Sequence, residues 1–146
     1  MEFTEYENRV CEIIKTIAPK YLLIEMGNQA TPIWAKAMEE LGIFNSVRVV
    51  ESKYYNKHSC KMIECSNIGM ILEDECLDEQ KQVEQVMRTI GSDVTWLDFM
   101  NGRGTTSRMA YKTGCDFVCS DLNKNRLSVA IEDLQKKGAE IQFVQK

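Results

Sequence analysis

The sequence predicts an α/β protein: a parallel sheet with crossover helices over residues 75–146, preceded by a small α+β unit over residues 1–74. Three observations predict it. From Val94 onward, short β-rich runs alternate with helical runs in the order β-α-β-α-β, and sheet-connection rules resolve that order into parallel strands with right-handed crossovers. Before residue 75 the runs are shorter and strands follow one another directly, which is a mixed α+β pattern. The chain has 146 residues, 44% hydrophobic and 27% charged, with 2 prolines and 8 glycines, a composition that supports an ordinary globular core.

Taken in order, Tyr6, Val10, Ile13, Ile14 and Ile17 recur at helical spacing and stop at Ala18-Pro19, so the first element is a helix closed by proline. Tyr21 to Met26 reads as a strand and Gly27-Asn28-Gln29 as a turn. Thr31-Pro32 reads as the cap and first position of a helix that runs to Glu40 and ends at Leu41-Gly42. Strands are expected at Val47–Val50, Met62–Cys65 and Met70–Leu72, with Tyr54–Ser59 as a polar loop. Leu77, Val83, Val86, Met87 and Ile90 line one side of an amphipathic helix from Glu75 that Gly91 ends. After it come a strand at Val94–Phe99, a helix near Thr106–Thr113 and a strand at Phe117–Ser120. A helix at Asn123–Lys137 and a strand at Ile141–Val144 complete the order.

Charge and targeting features narrow the function classes. Eighteen basic residues against 22 acidic ones give a formal charge of -4, with a pI near 5.1, so no global field draws the chain onto nucleic acid or anionic lipid. A nucleic-acid contact would have to be local. Apolar runs such as Tyr21–Ile24 fall far short of the roughly 18 to 20 residues of a membrane span. The acidic start, Met1 to Glu7, lacks the order of a secretory signal, so an intracellular site, cytoplasmic or nuclear, is expected. The six cysteines, Cys11, Cys60, Cys65, Cys76, Cys115 and Cys119, are then expected as reduced thiols.

The chemistry concentrates in Trp96 to Ser107, where a strand runs into Asn101-Gly102-Arg103-Gly104 and then a helix beginning Thr105-Thr106. Glycine lets backbone amides approach a ligand, and the open amides of a helix start favour a carboxylate or phosphate. Asp121 ends the next strand, 121 − 102 = 19 residues after Gly102, the spacing at which nucleoside-binding α/β folds hydrogen-bond a ribose. Each feature alone has a plainer reading, Gly102 and Gly104 as any strand-to-helix turn and Asp121 as a helix cap. The order around both favours a cofactor loop in a partial Rossmann-like sheet. No Gly-Lys-Ser/Thr follows, so the loop is not a Walker A site.

Ser120-Asp121-Leu122-Asn123-Lys124-Asn125-Arg126-Leu127 and Leu134-Gln135-Lys136-Lys137-Gly138 resemble class I S-adenosylmethionine-dependent methyltransferases, specifically the Sun/Nop-type (RsmB-like) RNA cytosine-5 methyltransferases. Lys20–Met26 with the helix from Pro32 looks like that family's RRM-like subdomain, and Gly69–Glu75 looks like its Gly-x-x-x-Gln-Asp-Glu run. The resemblance implies S-adenosylmethionine as cofactor, with Asp98, Gly102, Arg103, Gly104, Thr105 and Asp121 as its binding residues. Asp121 would hold the ribose and the amides near Thr105 and Thr106 would face the methionyl end. The loop departs from the family's Ala-Pro-Gly-Gly-Lys, Arg103 standing where the lysine charge is expected. Phe99 to Thr106 also resembles, with one extra residue, the Phe-x-Gly-x-Gly-Thr-Thr loop of amino-methylating DNA enzymes.

The family's catalytic Asp-Ala-Pro-Cys and Thr-Cys segments would lie beyond the third strand, and none of the six cysteines stands in such a motif. The resemblance therefore implies an amino-terminal, cofactor-binding part without catalytic residues of its own, truncated or inactive alone. RNA (rRNA or tRNA) and a complementing methyltransferase segment or a second copy are the expected partners. The alternative is a non-catalytic binding or regulatory module that pairs with a methyltransferase or with RNA. His58, Cys60, Cys65 and Cys76 have poor zinc spacing, so no metal is expected. Lys53, Lys57 and Lys61 beside Tyr54 and Tyr55 read as a solvated loop before they read as an RNA contact.

Overall fold

The computed structural model describes residues 4–54, 57–73, 77–102 and 104–143. Two compact units divide the chain, Met1–Glu79 and Gln80–Lys146.

In the first unit, helix α1 (Glu5–Ile17) opens with a reciprocal capping box between Thr4 and Glu7 and closes on Ala18 in the left-handed conformation, ahead of Pro19. Strand β1 (Tyr21–Met26) follows where the sequence places it. Helix α2 (Thr31–Glu40) has Ala30, not Thr31, at its cap. The turn from Gly27 already carries the chain into the helix, and the Thr31 hydroxyl donates to the Gly27 carbonyl at 2.9 Å. Strands β2 (Ser46–Tyr54) and β3 (His58–Ser66) form one long antiparallel hairpin. Of the polar stretch expected as a loop, Tyr54–Ser59, the residues Tyr54, His58 and Ser59 are strand, Tyr54 pairing with His58 and Ser59 with Lys53. Lys57 is a turn, and residues 55 and 56 lie outside the described residues. The flanking Ser52 and Cys60 are buried, so polar composition hides strand ends whose outer face is wet.

Met70–Leu72 is not a strand. The amides of Ile71 and Leu72 donate instead to the buried carboxylate of Glu64, each at 2.9 Å. The segment's backbone is satisfied by a side chain and needs no ladder. Strand β4 (Leu77–Asp78) adds in parallel beside Ser52 and Lys53, giving the order β1-β3-β2-β4. An RRM-like fold follows β-α-β-β-α-β, with a helix before the last strand. Here residues 67–73 carry no helix and the last strand joins β2. Because β4 pairs with β2, residues 77–79 fall in the first unit. Trp34, Met38, Val50, Met62, Ile63 and Cys65 are among this unit's buried side chains.

Helix α3 (Glu79–Ile90) enters the second unit at Gln80, and its Val86 and Met87 are buried. Leu77 belongs to a strand rather than to this helix. Strand β5 (Thr95–Asp98), helix α4 (Thr105–Thr113), strand β6 (Asp116–Cys119) and helix α5 (Lys124–Lys136) follow. β5 and β6 pair in parallel, Thr95 opposite Asp116 through Asp98 opposite Cys119. Met87, Ala110 and Cys115 form the core, with Val83, Trp96, Met109 and Phe117 packed against it. Ile141–Phe143 is not a strand, and Val144 lies outside the described residues. Apolar content alone makes no strand without a neighbouring backbone to pair with, and Phe143 is exposed. No helix among the described residues is long and apolar enough to cross a membrane.

Candidate functional site

The turn after β5 is held by hydrogen bonds that begin at the strand ends. The Ser120 amide donates to the Asp98 carbonyl at 2.9 Å and the Asn101 amide donates to the Ser120 carbonyl at 3.0 Å, so the parallel pairing continues past both strands into the turn. Asp98 braces the loop. One carboxylate oxygen accepts from the Met100 amide at 2.9 Å and the other from the Thr106 hydroxyl at 2.6 Å. It ties the loop's first residues to the first turn of α4.

Asp121 closes the same turn from the other side. Its Oδ2 accepts from the Gly102 amide at 2.6 Å and its Oδ1 from the Asn123 amide at 2.7 Å. Those two amides, Asn123 first, hold its pKa below the usual aspartate value, so it is a carboxylate at neutral pH. The residues nineteen apart in sequence are thus in direct contact. Leu122, next in the chain, is 97% exposed, a bare apolar side chain beside the carboxylate that periodicity does not single out.

Gly102 and Gly104 both take positive φ, 55° and 91°. At Gly104 a second demand is met: a Cβ there would stand 2.8 Å from the Ala130 Cβ and 3.1 Å from the Ser107 Oγ. Only glycine lets the turn lie this close to α5. Gly104 is also the cap of α4 and offers no side-chain hydrogen bond. Among the described residues no side chain caps the amides of Thr105, Thr106 and Ser107, the ones a helix start leaves without an intrahelical partner. Arg103 lies outside the described residues. Asn101, which sequence reasoning passed over, is buried, and its Oδ1 has no hydrogen-bond partner among the described residues. Of the expected binding residues, the structure brings together Asp98, Gly102, Gly104, Thr105 and Asp121, with Asp98 committed to bracing.

Burial raises the pKa of three described thiols, Cys11, Cys65 and Cys119. Burial, with Glu64 nearby, pushes Cys65 up to about 12. Burial also pushes Cys119 up to about 12, with Asp98 adding to the effect. Cys60 and Cys115 are buried, and Cys76 lies outside the described residues. Among the described residues no group of three or more His, Cys, Asp or Glu could hold a metal.

Three solved structures share this architecture at low sequence identity. M1.HpyAVI matches with a TM-score of 0.63 and 14% identity, over 88% of this chain and 82% of that one. Its complex with S-adenosylmethionine matches with a TM-score of 0.61 and 14% identity, over 88% and 83%. TTHA0409 of Thermus thermophilus, provisionally named a DNA modification methylase and bound to S-adenosyl-L-methionine, matches with a TM-score of 0.68 and 13% identity, over 96% and 81%. No family model and no curated protein sequence matches the chain. The likeness establishes a methyltransferase-like fold.

Proposed function

We propose that the chain binds S-adenosylmethionine, or its product S-adenosylhomocysteine, at the 98–107 turn and Asp121, in the service of nucleic-acid methylation. The hydrogen bond from Gly102 to Asp121 carries this reading, because it joins a carboxylate to a glycine turn whose helix-start amides no described side chain caps. Each Asp121 oxygen accepts one backbone N–H and keeps a second lone pair for a ribose hydroxyl. The amides of Thr105 and Thr106 suit the carboxylate of the methionyl end. Leu122 and Met100, 97% and 51% exposed, offer apolar surface to the purine. When bound, the cofactor supplies a methyl group activated by its sulfonium.

Two observations bear on the acceptor. Cytosine-5 transfer needs a thiolate nucleophile, and burial keeps Cys65 and Cys119 protonated. Transfer to an exocyclic amine needs no thiolate, and it agrees with the resemblance of Phe99–Thr106 to amino-methylating DNA enzymes. We therefore favour an amino group of a nucleic acid over cytosine C5 of RNA. The alternative of a regulatory module, paired with a methyltransferase segment or a second copy, is favoured by one specific feature. Leu97 and Val118, neighbours on one face of the β5–β6 pair, are 47% and 57% exposed.

Calorimetric titration with S-adenosylmethionine and S-adenosylhomocysteine tests the cofactor site. Micromolar binding is expected, weakened about tenfold or more in Asp121→Ala, on the scale of a lost charged hydrogen bond. Absence of heat from the folded wild-type chain would overturn the proposal.

A further inference from the structure

We propose that Asp121 guards the Asn101-Gly102 peptide bond against self-conversion to aspartate and isoaspartate, so that this turn is a covalent modification site held shut by the Gly102–Asp121 hydrogen bond. The guard requires no ligand.

Asn101 is the one asparagine in the sequence that glycine follows. In that pair the glycine nitrogen can close a five-membered ring on the asparagine side chain, because it is already tethered beside Cγ and carries no Cβ to hinder the approach. The Gly102 nitrogen gives its proton to solvent hydroxide and bonds to Asn101 Cγ. The Cγ–Nδ2 bond breaks, and Nδ2 takes a proton from water and leaves as ammonia. One water then opens the cyclic imide at either carbonyl, which gives aspartate or isoaspartate at position 101. Isoaspartate routes the main chain through an extra carbon inside the turn between β5 and α4.

The structure holds the nucleophile in place. The Gly102 amide donates to Asp121 Oδ2 at 2.6 Å, so the proton that must leave is bound to a carboxylate. The nitrogen anion that remains would stand beside a negative charge. Asp121 is too weak a base to take the proton itself, since the amides of Asn123 and Gly102 hold its pKa below the ordinary aspartate value. The backbone on either side is pinned as well. The Asn101 amide donates to the Ser120 carbonyl at 3.0 Å, and the Asn101 carbonyl accepts from the Gly104 amide at 2.9 Å. Asn101 Oδ1 has no donor among the described residues, so none of them polarises Cγ for attack. Among these contacts the hydrogen bond to Asp121 is made by a side chain, which lets a substitution remove it alone.

The test follows residue 101 by peptide mass and by chromatographic separation of isoaspartate, at mildly alkaline pH and well below the melting temperature. Asp121→Ala is expected to convert about tenfold or more faster than the folded wild type, the scale of a lost charged hydrogen bond. The guanidinium-unfolded wild type should convert faster still. Asp133→Ala breaks the Arg108–Asp133 ion pair in the same unit and leaves the guard in place, so it should stay within about twofold of the wild type. Thermal melting verifies each fold. Should Asp121→Ala not fold, Asp121→Asn replaces it, keeping an acceptor without the charge, and a smaller acceleration is expected. A folded wild type that converts as fast as the unfolded chain would overturn the proposal. So would an Asp121 variant no faster than the wild type, or an Asp133→Ala chain that matches Asp121→Ala.

Discussion

At Gly104 a backbone requirement and a packing requirement fall on one residue: φ is 91° and the Ala130 Cβ stands 2.8 Å from where a side chain would begin. Gly104→Ala is expected to cost about 2 kcal/mol or more, from strain and overpacking together. Ala130→Gly in the same chain should recover the packing share and not the strain, which a double-mutant cycle of urea midpoints will separate. Glu25 offers a second test. Desolvation where its carboxyl lies against neighbouring groups, then the like charge of Glu79, pushes its pKa up to about 7, although the residue as a whole is exposed on its strand. The folded form thus binds more protons than the unfolded chain between its ordinary value and pH 7, and stability falls as pH rises through that window. Glu25→Gln should be more stable than the wild type above pH 7, and the difference should vanish below about pH 4.5, near the unfolded value. Denaturant titrations across pH will show it. The sequence made Gly102 and Gly104 legible because positive φ demands glycine, and Asp121 legible through its spacing from the turn it contacts. Asn101 was illegible, since an orphaned acceptor is defined by what surrounds it.

Among the elements, helices announced themselves through periodicity and strands did so unevenly. β1 was readable in full because one β-rich run is bounded by a proline and a glycine. The β2–β3 hairpin extends well past its apolar positions because Lys53, Tyr54, His58 and Ser59 occupy ladder positions near its tip, where composition signals a loop. Met70–Leu72 misled in the opposite direction. Glu64 is fully buried and accepts from the Tyr21 hydroxyl, from the amides of Ile71 and Leu72, and from Arg48 Nε at 2.8 Å. Burial works to raise its pKa, but these hydrogen bonds outweigh it and hold the carboxyl below its ordinary value. Its stabilisation is present above the unfolded carboxylate pKa and is lost as pH falls through the lowered folded one. Glu64→Gln removes the charge and breaks the Glu64–Arg48 ion pair, with an expected cost of about 2–4 kcal/mol. Urea unfolding should register that loss at pH 7 and a smaller one at pH 3.

At the scale of the whole molecule, each unit has its own buried core, and the turn after β5, with Asp121, belongs wholly to the second. The two compact units divide after Glu79, and a change in element order near residue 75 was readable. The placement of β4 was not, because a two-residue strand has no sequence signature of its own. The apolar Leu97 and Val118 face, with two-stranded edges that offer a template for pairing, predicts concentration-dependent self-association. Sedimentation velocity should detect it, and the double substitution Leu97→Lys with Val118→Lys should abolish it while the melting temperature stays close to that of the wild type.

The short contact between the Gly102 amide and Asp121 turns one N–H group into a resonance that reports a distant proton. An amide held at 2.6 Å from a carboxylate oxygen should appear far downfield in a nitrogen–proton correlation spectrum. It should move upfield as acid protonates Asp121, with a midpoint below 3.8 because the two amides lower that group's pKa. On the proposed reading, the same peak is expected to shift when a ribose hydroxyl reaches the carboxylate's other lone pair. The loop thus carries its own spectroscopic probe, one that distinguishes ligand capture from a change in acidity without any label beyond the isotope.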